Sequence, residues 1–341
     1  MKKTLIALAV ISAAGVASAQ SSVTLYGVAD AFLVSTNTKS TDANGVSTSI
    51  RRNKLESGGF GSSRFGLTGS EDLGGGLKAN FQLESGVAID TGAGGVGSVF
   101  NRQSWVGLSG GFGALRLGKM WTPYDEVDGM GAGAFGETFK PAGNIAFPSS
   151  NYQKSNPSNS IYYTTPNISG FSAAVSLSAG EGAATAGRVV SVNAQYAGGP
   201  VTVAVAHQQE KDTGAATARK FTKLSASYDL GVAKLRAGVG QAKNDTTPLF
   251  GTNLYPKGQD FQVGVDVPLG NALAVSAGVA RGKITLAGGA EIKGTGFGIA
   301  AKYNLSKRTF FYTGLSTGKN KSAGTQQTKT DSFGAGVQHQ F

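Results

Sequence analysis

Cysteine is absent from the 341 residues. No disulfide can brace the chain, and no thiolate can hold a metal. His207 and His339 are the only histidines, too few ligands for a structural zinc site. Neither a metal nor a cofactor is expected. Long apolar runs are missing too. Beyond Val16 no stretch is long enough for a membrane helix, which takes about 20 apolar residues. Hydrophobic residues make up 40% of the chain, and the mean hydropathy is −0.08. That average suits a soluble protein. It equally suits a transmembrane barrel, whose water-facing residues dilute the lipid-facing ones.

The formal net charge is +11, with Lys2 and Lys3 in the leader described below. The basic residues are scattered among strands and loops rather than clustered, which argues against a nucleic-acid partner. A basic pore lining, or a basic rim facing acidic lipid headgroups, accounts for the excess. Glycine is abundant, with 52 residues. Many fall inside strand-like runs, among them Gly238, Gly240, Gly264, Gly278, Gly294, Gly296 and Gly298. No Gly-X-Y period exists, so collagen is excluded. Glycine within a strand relieves crowding where a sheet bends or something packs closely on it.

Residues 1–19 read as a secretory signal peptide. Lys2 and Lys3 precede an apolar run from Leu5 to Val16, and Ala17-Ser18-Ala19 supplies the cleavage site before Gln20. Residues 20–341 form one domain, because no composition shift divides them.

The rest of the chain alternates apolar and polar residues. Phe261, Val263, Val265 and Val267 share one parity, as do Phe297, Ile299, Ala301 and Tyr303, and again Phe333, Ala335, Val337, His339 and Phe341. The other parity carries Gln262, Asp266, Ser276, Lys302, Gln338 and Gln340. Alternate residues of a strand face opposite ways, so each segment has an apolar and a polar face. About 16 such segments are expected, beginning with 22–35 and 59–70 and ending with 331–341. Short Gly/Asn/Asp-rich turns such as Glu71–Gly76 alternate with long connections at 36–58, 89–101, 120–157, 179–187, 210–218, 243–258, 282–291 and 319–330. The predicted fold is all-β, a 16-stranded antiparallel transmembrane β-barrel with short turns on one rim and longer loops on the other. Aromatics near strand ends, including Tyr26, Phe81, Trp105, Phe112, Trp121, Tyr228, Tyr303 and Phe311, are expected to form interfacial girdles.

Several pieces resemble the general diffusion porins of Gram-negative outer membranes, of the beta-proteobacterial and neisserial type. They are Ser22-Val23-Thr24-Leu25-Tyr26-Gly27, Ser63-Arg64-Phe65-Gly66-Leu67, the turn Glu71-Asp72-Leu73-Gly74-Gly75-Gly76-Leu77, Leu115-Arg116-Leu117-Gly118-Lys119, Asn159-Ser160-Ile161-Tyr162-Tyr163 and the terminal Phe341. The resemblance implies a homotrimer of barrels in the cell outer membrane, with lipid and lipopolysaccharide around it and passive diffusion of ions and small polar solutes through it. It also implies that Phe341 is read by the barrel assembly machinery. His339 departs from the apolar or aromatic residue usual at its place.

In that family the third long loop folds into the lumen. Here this is the 120–157 connection, with Asp125 and Glu126 in its acidic stretch. If Phe65, Leu67, Leu115 and Leu117 face lipid, Arg64 and Arg116 face water. Arg102 shares parity with Ser104 rather than Trp105 and is expected inward as well. By resemblance, Arg64 and Arg102 match the family's basic wall, and Lys154 lies near another basic position. The expected pore constriction is therefore Arg64, Arg102, Arg116, Asp125, Glu126 and Lys154. A basic wall facing an acidic loop sets a transverse field, and the excess of basic residues predicts anion preference.

Alternative readings are a substrate-specific channel for sugars or organic acids, for which Tyr26 and Tyr312 are lumen-parity aromatics, and a barrel adhesin. An enzyme is not expected. No G-x-S-x-G elbow accompanies the histidines, and Gly92-Ala93-Gly94-Gly95-Val96-Gly97 precedes no strand–helix unit.

Overall fold

The computed structural model describes residues 22–95, 97–130, 136–151, 153–181, 187–212, 218–243, 257–322 and 326–341. The leader at 1–19 and much of the loops at 182–186, 213–217 and 244–256 lie outside the described residues.

The strand segments are β1 (Ser22–Thr41), β2 (Ser47–Ser57), β3 (Arg64–Gly74), β4 (Leu77–Gly86), β5 (Gln103–Gly110), β6 (Gly113–Lys119), β7 (Ser160–Thr164), β8 (Phe171–Ser178) and β9 (Arg188–Gly198). They continue as β10 (Val201–Lys211), β11 (Arg219–Asp229), β12 (Lys234–Lys243), β13 (Lys257–Leu269), β14 (Leu273–Thr285), β15 (Glu291–Asn304), β16 (Thr309–Lys321) and β17 (Gln327–Gln340). Two short helices, α1 (Pro123–Met130) and α2 (Pro148–Asn151), sit between β6 and β7.

Apart from β2 and β3, which do not pair with each other, consecutive segments pair antiparallel, and β1 pairs with β17 from Val28↔Gln340 to Thr41↔Gln327, which closes the sheet. β1 also pairs with β2 along its upper half and with β3 along its lower half. β2 and β3 are thus one strand interrupted at residues 58–63, and the barrel has 16 strands. Closure leaves no edge in the hydrocarbon region, where an unpaired amide would find no water. At the seam Phe341 and Gly27 exchange both backbone hydrogen bonds, at 3.0 and 3.1 Å. The Phe341 ring lies over Gly27, where an added Cβ would come within 2.3 Å of it.

The two faces follow the expected parity. Phe261, Val279, Phe297, Leu315 and Phe333 are exposed on the outer wall, while Gln262, Ser276, Ser316 and Ser332 point inward and are covered. The expected loop at 36–58 is mostly strand: β1 runs on to Thr41, and β2 occupies Ser47–Ser57. The loops expected at 282–291 and 319–330 shrink likewise, as β14 to β17 are 13 or 14 residues long. A tilted membrane strand takes about 9–11. These strands rise beyond the bilayer, where the outer face meets water instead of lipid and no apolar side is needed there. Alternation therefore fades there while hydrogen bonding continues.

The interruption at 58–63 turns inward and is pinned by Asp30, which is fully buried. Its carboxylate accepts the N–H groups of Gly59, Phe60 and Gly61, each at 3.0 Å, and the Tyr312 hydroxyl. The aromatics do not all form girdles. Phe112, Tyr228, Tyr303 and Phe311 are exposed near the short turns, but Tyr26 and Trp105 line the lumen wall, and Trp121 lies in the loop that enters the barrel.

Candidate functional site: a lumen narrowed by one loop

The connection from β6 to β7 folds into the barrel. Its first helix is specified locally. Thr122 caps α1 by accepting the Asp125 N–H at 3.3 Å, Pro123 occupies the first helical position, and Asp125 and Glu126 stand in the first turn, where the helix dipole favours acid. Tyr124 and Val127, three residues apart on one helix face, are fully buried against Ala204, Ala206, Phe221 and Ala242 of the wall. Tyr124 N–H donates to Ser191 Oγ at 3.0 Å, and its hydroxyl donates to the Ser149 carbonyl at 2.8 Å.

The loop then crosses to the opposite wall. Glu137 and Thr138 N–H groups donate to the carbonyls of Phe60 and Gly59, joining the loop to the 58–63 knob. Phe139 is buried among Phe32, Val34, Ala300, Phe310 and Tyr312. From there the backbone rests on a path of inward-facing glycines. A Cβ at Gly282 would lie 1.8 Å from the Ala146 carbonyl oxygen, one at Gly296 1.9 Å from that of Pro141, and one at Gly298 2.1 Å from that of Phe139. Several of the strand glycines conspicuous in the sequence, Gly240, Gly294, Gly296 and Gly298, are thus part of the bed of this loop. Polar anchors complete it: Asn320 accepts the Ala146 N–H at 2.8 Å, and Asp260 accepts Ser149 N–H at 2.6 Å and its hydroxyl at 2.7 Å.

With the β8–β17 side of the lumen covered, the opening faces β3–β6. Arg64 and Arg102 meet there on Glu84, with Nε–carboxylate distances of 3.4 and 2.7 Å. Glu84 is buried and also accepts the Tyr26 hydroxyl at 3.0 Å. Arg102 lies 5.1 Å over the Trp121 ring. Arg116 lies over Trp105 and Tyr162, at 4.9 and 5.4 Å from their centroids. Arg102 points inward, but the parity reasoning for it fails. Val106 and Leu108 are the exposed, lipid-facing residues of β5, so Trp105 faces the lumen and Ser104 does not. Arg102 precedes the strand, outside its alternation, and its side chain is drawn in by Glu84.

Glu126 accepts the Tyr162 hydroxyl at 2.8 Å and the Asn193 amide at 3.2 Å. Burial raises its pKa, and these two bonds and the Arg116 charge oppose the rise. Among the described residues, the Asp125 carboxylate accepts no such bonds. Burial, together with the Asp128, Glu137 and Glu126 charges, pushes its carboxyl up to about 7. Asp128 pairs with Lys223 and accepts the Ser150 hydroxyl, and Glu137 pairs with Lys140 at 2.8 Å. Lys154 stands apart from the arginines. Its N–H donates to Glu210 at 2.6 Å and its ammonium pairs with Asp212 at 3.1 Å, fastening the returning loop to the end of β10. Sequence reasoning missed Glu84 and Lys223. Parity would have found Glu84, since Phe81 and Leu83 on β4 leave Gln82 and Glu84 facing the water.

The chain matches the family described as Gram-negative porin over residues 4–323. It is 38% identical over 344 residues to outer membrane porin protein 32 of Delftia acidovorans, covering 95% of this chain and 92% of that one. Identity to the major outer membrane protein P.IB of Neisseria gonorrhoeae is 36% over 204 residues, 58% of this chain and 53% of the relative. Among solved structures, an anion-selective porin from Comamonas acidovorans superposes with a TM-score of 0.73 at 29% identity, over 94% of this chain and all of the other. A closed barrel, apolar without and polar within, narrowed by its third long loop and matched along its length by these relatives, places the chain in the Gram-negative porin family, passive channels of the outer membrane.

Proposed function

We propose that the channel passes small hydrophilic solutes without a dedicated binding site and favours anions. One observation carries this reading: the carboxylates of the inserted loop are compensated, while the arginines opposite are not. Lys223 meets Asp128, Lys140 meets Glu137, Tyr162 and Asn193 hold Glu126, and Asp125 is only partly ionised near neutrality. Across the opening, Arg64 and Arg102 share the single carboxylate Glu84, and Arg116 lies over the Trp105 and Tyr162 rings with no carboxylate in an ion pair among the described residues. The net fixed charge at the waist is therefore positive, which lowers the barrier for anions. The related porin from Comamonas acidovorans is anion-selective, in agreement with this.

The roles of Arg64, Arg102, Arg116, Asp125 and Glu126 at the constriction belong to the same reading, whereas Lys154 serves it by anchoring the loop. The lumen aromatics favour a general channel over a sugar-specific one. Trp105, Trp121 and Tyr162 carry arginines on their faces rather than offering a free stacking file. No catalytic step is assigned. His207 and His339 each bond a threonine hydroxyl at 2.8 Å, on the outward parity of their strands. Three barrels would assemble through their outer walls. An apolar concavity of about 670 Å³ lined by Ala31, Leu33, Leu55, Phe311, Ala335 and Val337 supports such a contact. Surrounding lipid, lipopolysaccharide and the assembly machinery that reads Phe341 complete the proposed partners.

Reversal potential in a salt gradient across a planar bilayer tests the selectivity. Anion preference is expected. Glu84→Gln should increase it, while Arg64→Ala should reduce it and widen solute passage. Cation preference in the unmodified channel would overturn the reading.

A further inference from the structure

The outward faces of the tall strands carry lysine beside lysine. The ladder sets Lys220 opposite Lys243, Lys243 opposite Lys257, Lys283 opposite Lys293 and Lys293 opposite Lys321. All of these are exposed. Like charges directly across a ladder destabilise a sheet, so such a row calls for an anion outside the chain. The row lies toward the long-loop rim, just above the lipid-facing Phe261, Val279 and Phe297.

On β13–β15 the row deepens into a groove of about 390 Å³. Its outward side chains are Gln259, Phe261, Arg281, Lys283, Lys293 and Thr295. Glu291 pairs with Lys283 and, at 3.0 Å, with Lys293. Among the described residues no carboxylate pairs with Arg281. The groove therefore keeps a surplus of positive charge after its own acid is satisfied. Thr295 and Gln259 add neutral hydrogen-bonding groups, and Phe261 floors the groove on its membrane side.

We propose that this groove seats the phosphate group of a phosphorylated glycolipid of the outer leaflet, with Arg281, Lys283 and Lys293 on the phosphate and the acyl chains descending past Phe261 and Val279. The cations match the headgroup, and the apolar band beneath matches the chains. A free anion would have no use for that band. The proposal rests on the outer-membrane placement of the barrel, which puts the long-loop rim outside.

The test uses the full mature chain, purified in detergent and incubated with lipid A carrying both phosphates. Bound lipid is read by native mass spectrometry. Parallel arms use lipid A stripped of phosphate, phosphatidylglycerol, and inorganic phosphate as competitor. The unmodified protein should retain bis-phosphorylated lipid A and release it neither to inorganic phosphate nor in exchange for the stripped form. Arg281→Ser with Lys293→Ser should weaken retention roughly thirtyfold, the effect of two basic residues at an anionic lipid surface. Lys307→Ser, in a short turn on the opposite rim, should retain lipid as the parent does. Equal retention by the double variant would overturn the proposal. So would an equal loss in Lys307→Ser, equal binding of phosphatidylglycerol, or displacement by inorganic phosphate. Bilayer conductance is measured on the same samples. It should be unchanged in the double variant, and its absence from the parent would count against the channel itself, not against the groove.

Discussion

Replacing Gly296 with alanine should push the inserted loop off its wall. The new Cβ would lie 1.9 Å from the Pro141 carbonyl oxygen, whereas a real Cβ keeps at least 3.0 Å from other heavy atoms. One side must retreat by about 1.1 Å. The wall is held on both flanks by unbroken ladders to β14 and β16, so the loop is the side that moves, toward the pore axis. Gly282→Ala asks the same of Ala146, from 1.8 Å. Overpacking of this kind costs about 1–3 kcal/mol per site. The two sites lie on paired strands and share one loop, so their effects should not simply add. Single-channel conductance in a planar bilayer is the assay, with heat-modifiable gel mobility showing that the barrel has closed. Each variant should form a folded barrel with lower conductance than the parent. Gly238→Ala is the control: it also faces the lumen, but its nearest neighbours stand 3.6 Å away, so conductance should hold. If Gly282→Ala and Gly296→Ala conduct like Gly238→Ala, the loop does not rest on the glycine path.

Asp125 should give selectivity a pH step. Its carboxyl is raised to about 7, so it gains a proton as pH falls from 8 to 6, and anion preference measured by reversal potential should rise over that interval. Asp125→Asn should show the acid-side selectivity throughout; a step that survives the substitution would point to another group. The linkage sign follows from the raised value: the favourable contribution to loop docking is complete below the ordinary carboxylate value of 3.8 and is lost as pH rises through about 7. Asp30→Asn keeps the side-chain shape but withdraws charge from the N–H groups of Gly59, Phe60 and Gly61. Thermal unfolding in detergent should show a loss of about 1–3 kcal/mol; an unchanged midpoint would show that the knob holds without it. Truncating Phe341 should lower the amount of barrel recovered in the outer membrane fraction, and normal recovery would remove it as an assembly signal.

Sequence alone determined the barrel and its sidedness. Lipid on one side and water on the other impose a period of two on every strand, and that period is local, so Phe261, Phe297 and Phe333 declare their face without reference to any neighbour. Where lipid stops, the signal stops with it, which hid β2 and the upper part of β1. It also misled the reading of β5, a short strand whose inward residue is an aromatic. Only the tertiary structure decided the site. Glu84 draws in Arg102, Lys223 neutralises Asp128, and Lys154 fastens the loop to β10 rather than joining the arginines. These are pairings between residues far apart in the chain, and electrostatics depends on distance in space, which alternation does not encode. The glycines show the same division. Their number was plain from the start, but their purpose, a bed for the loop that narrows the pore, needed the strands to be brought side by side.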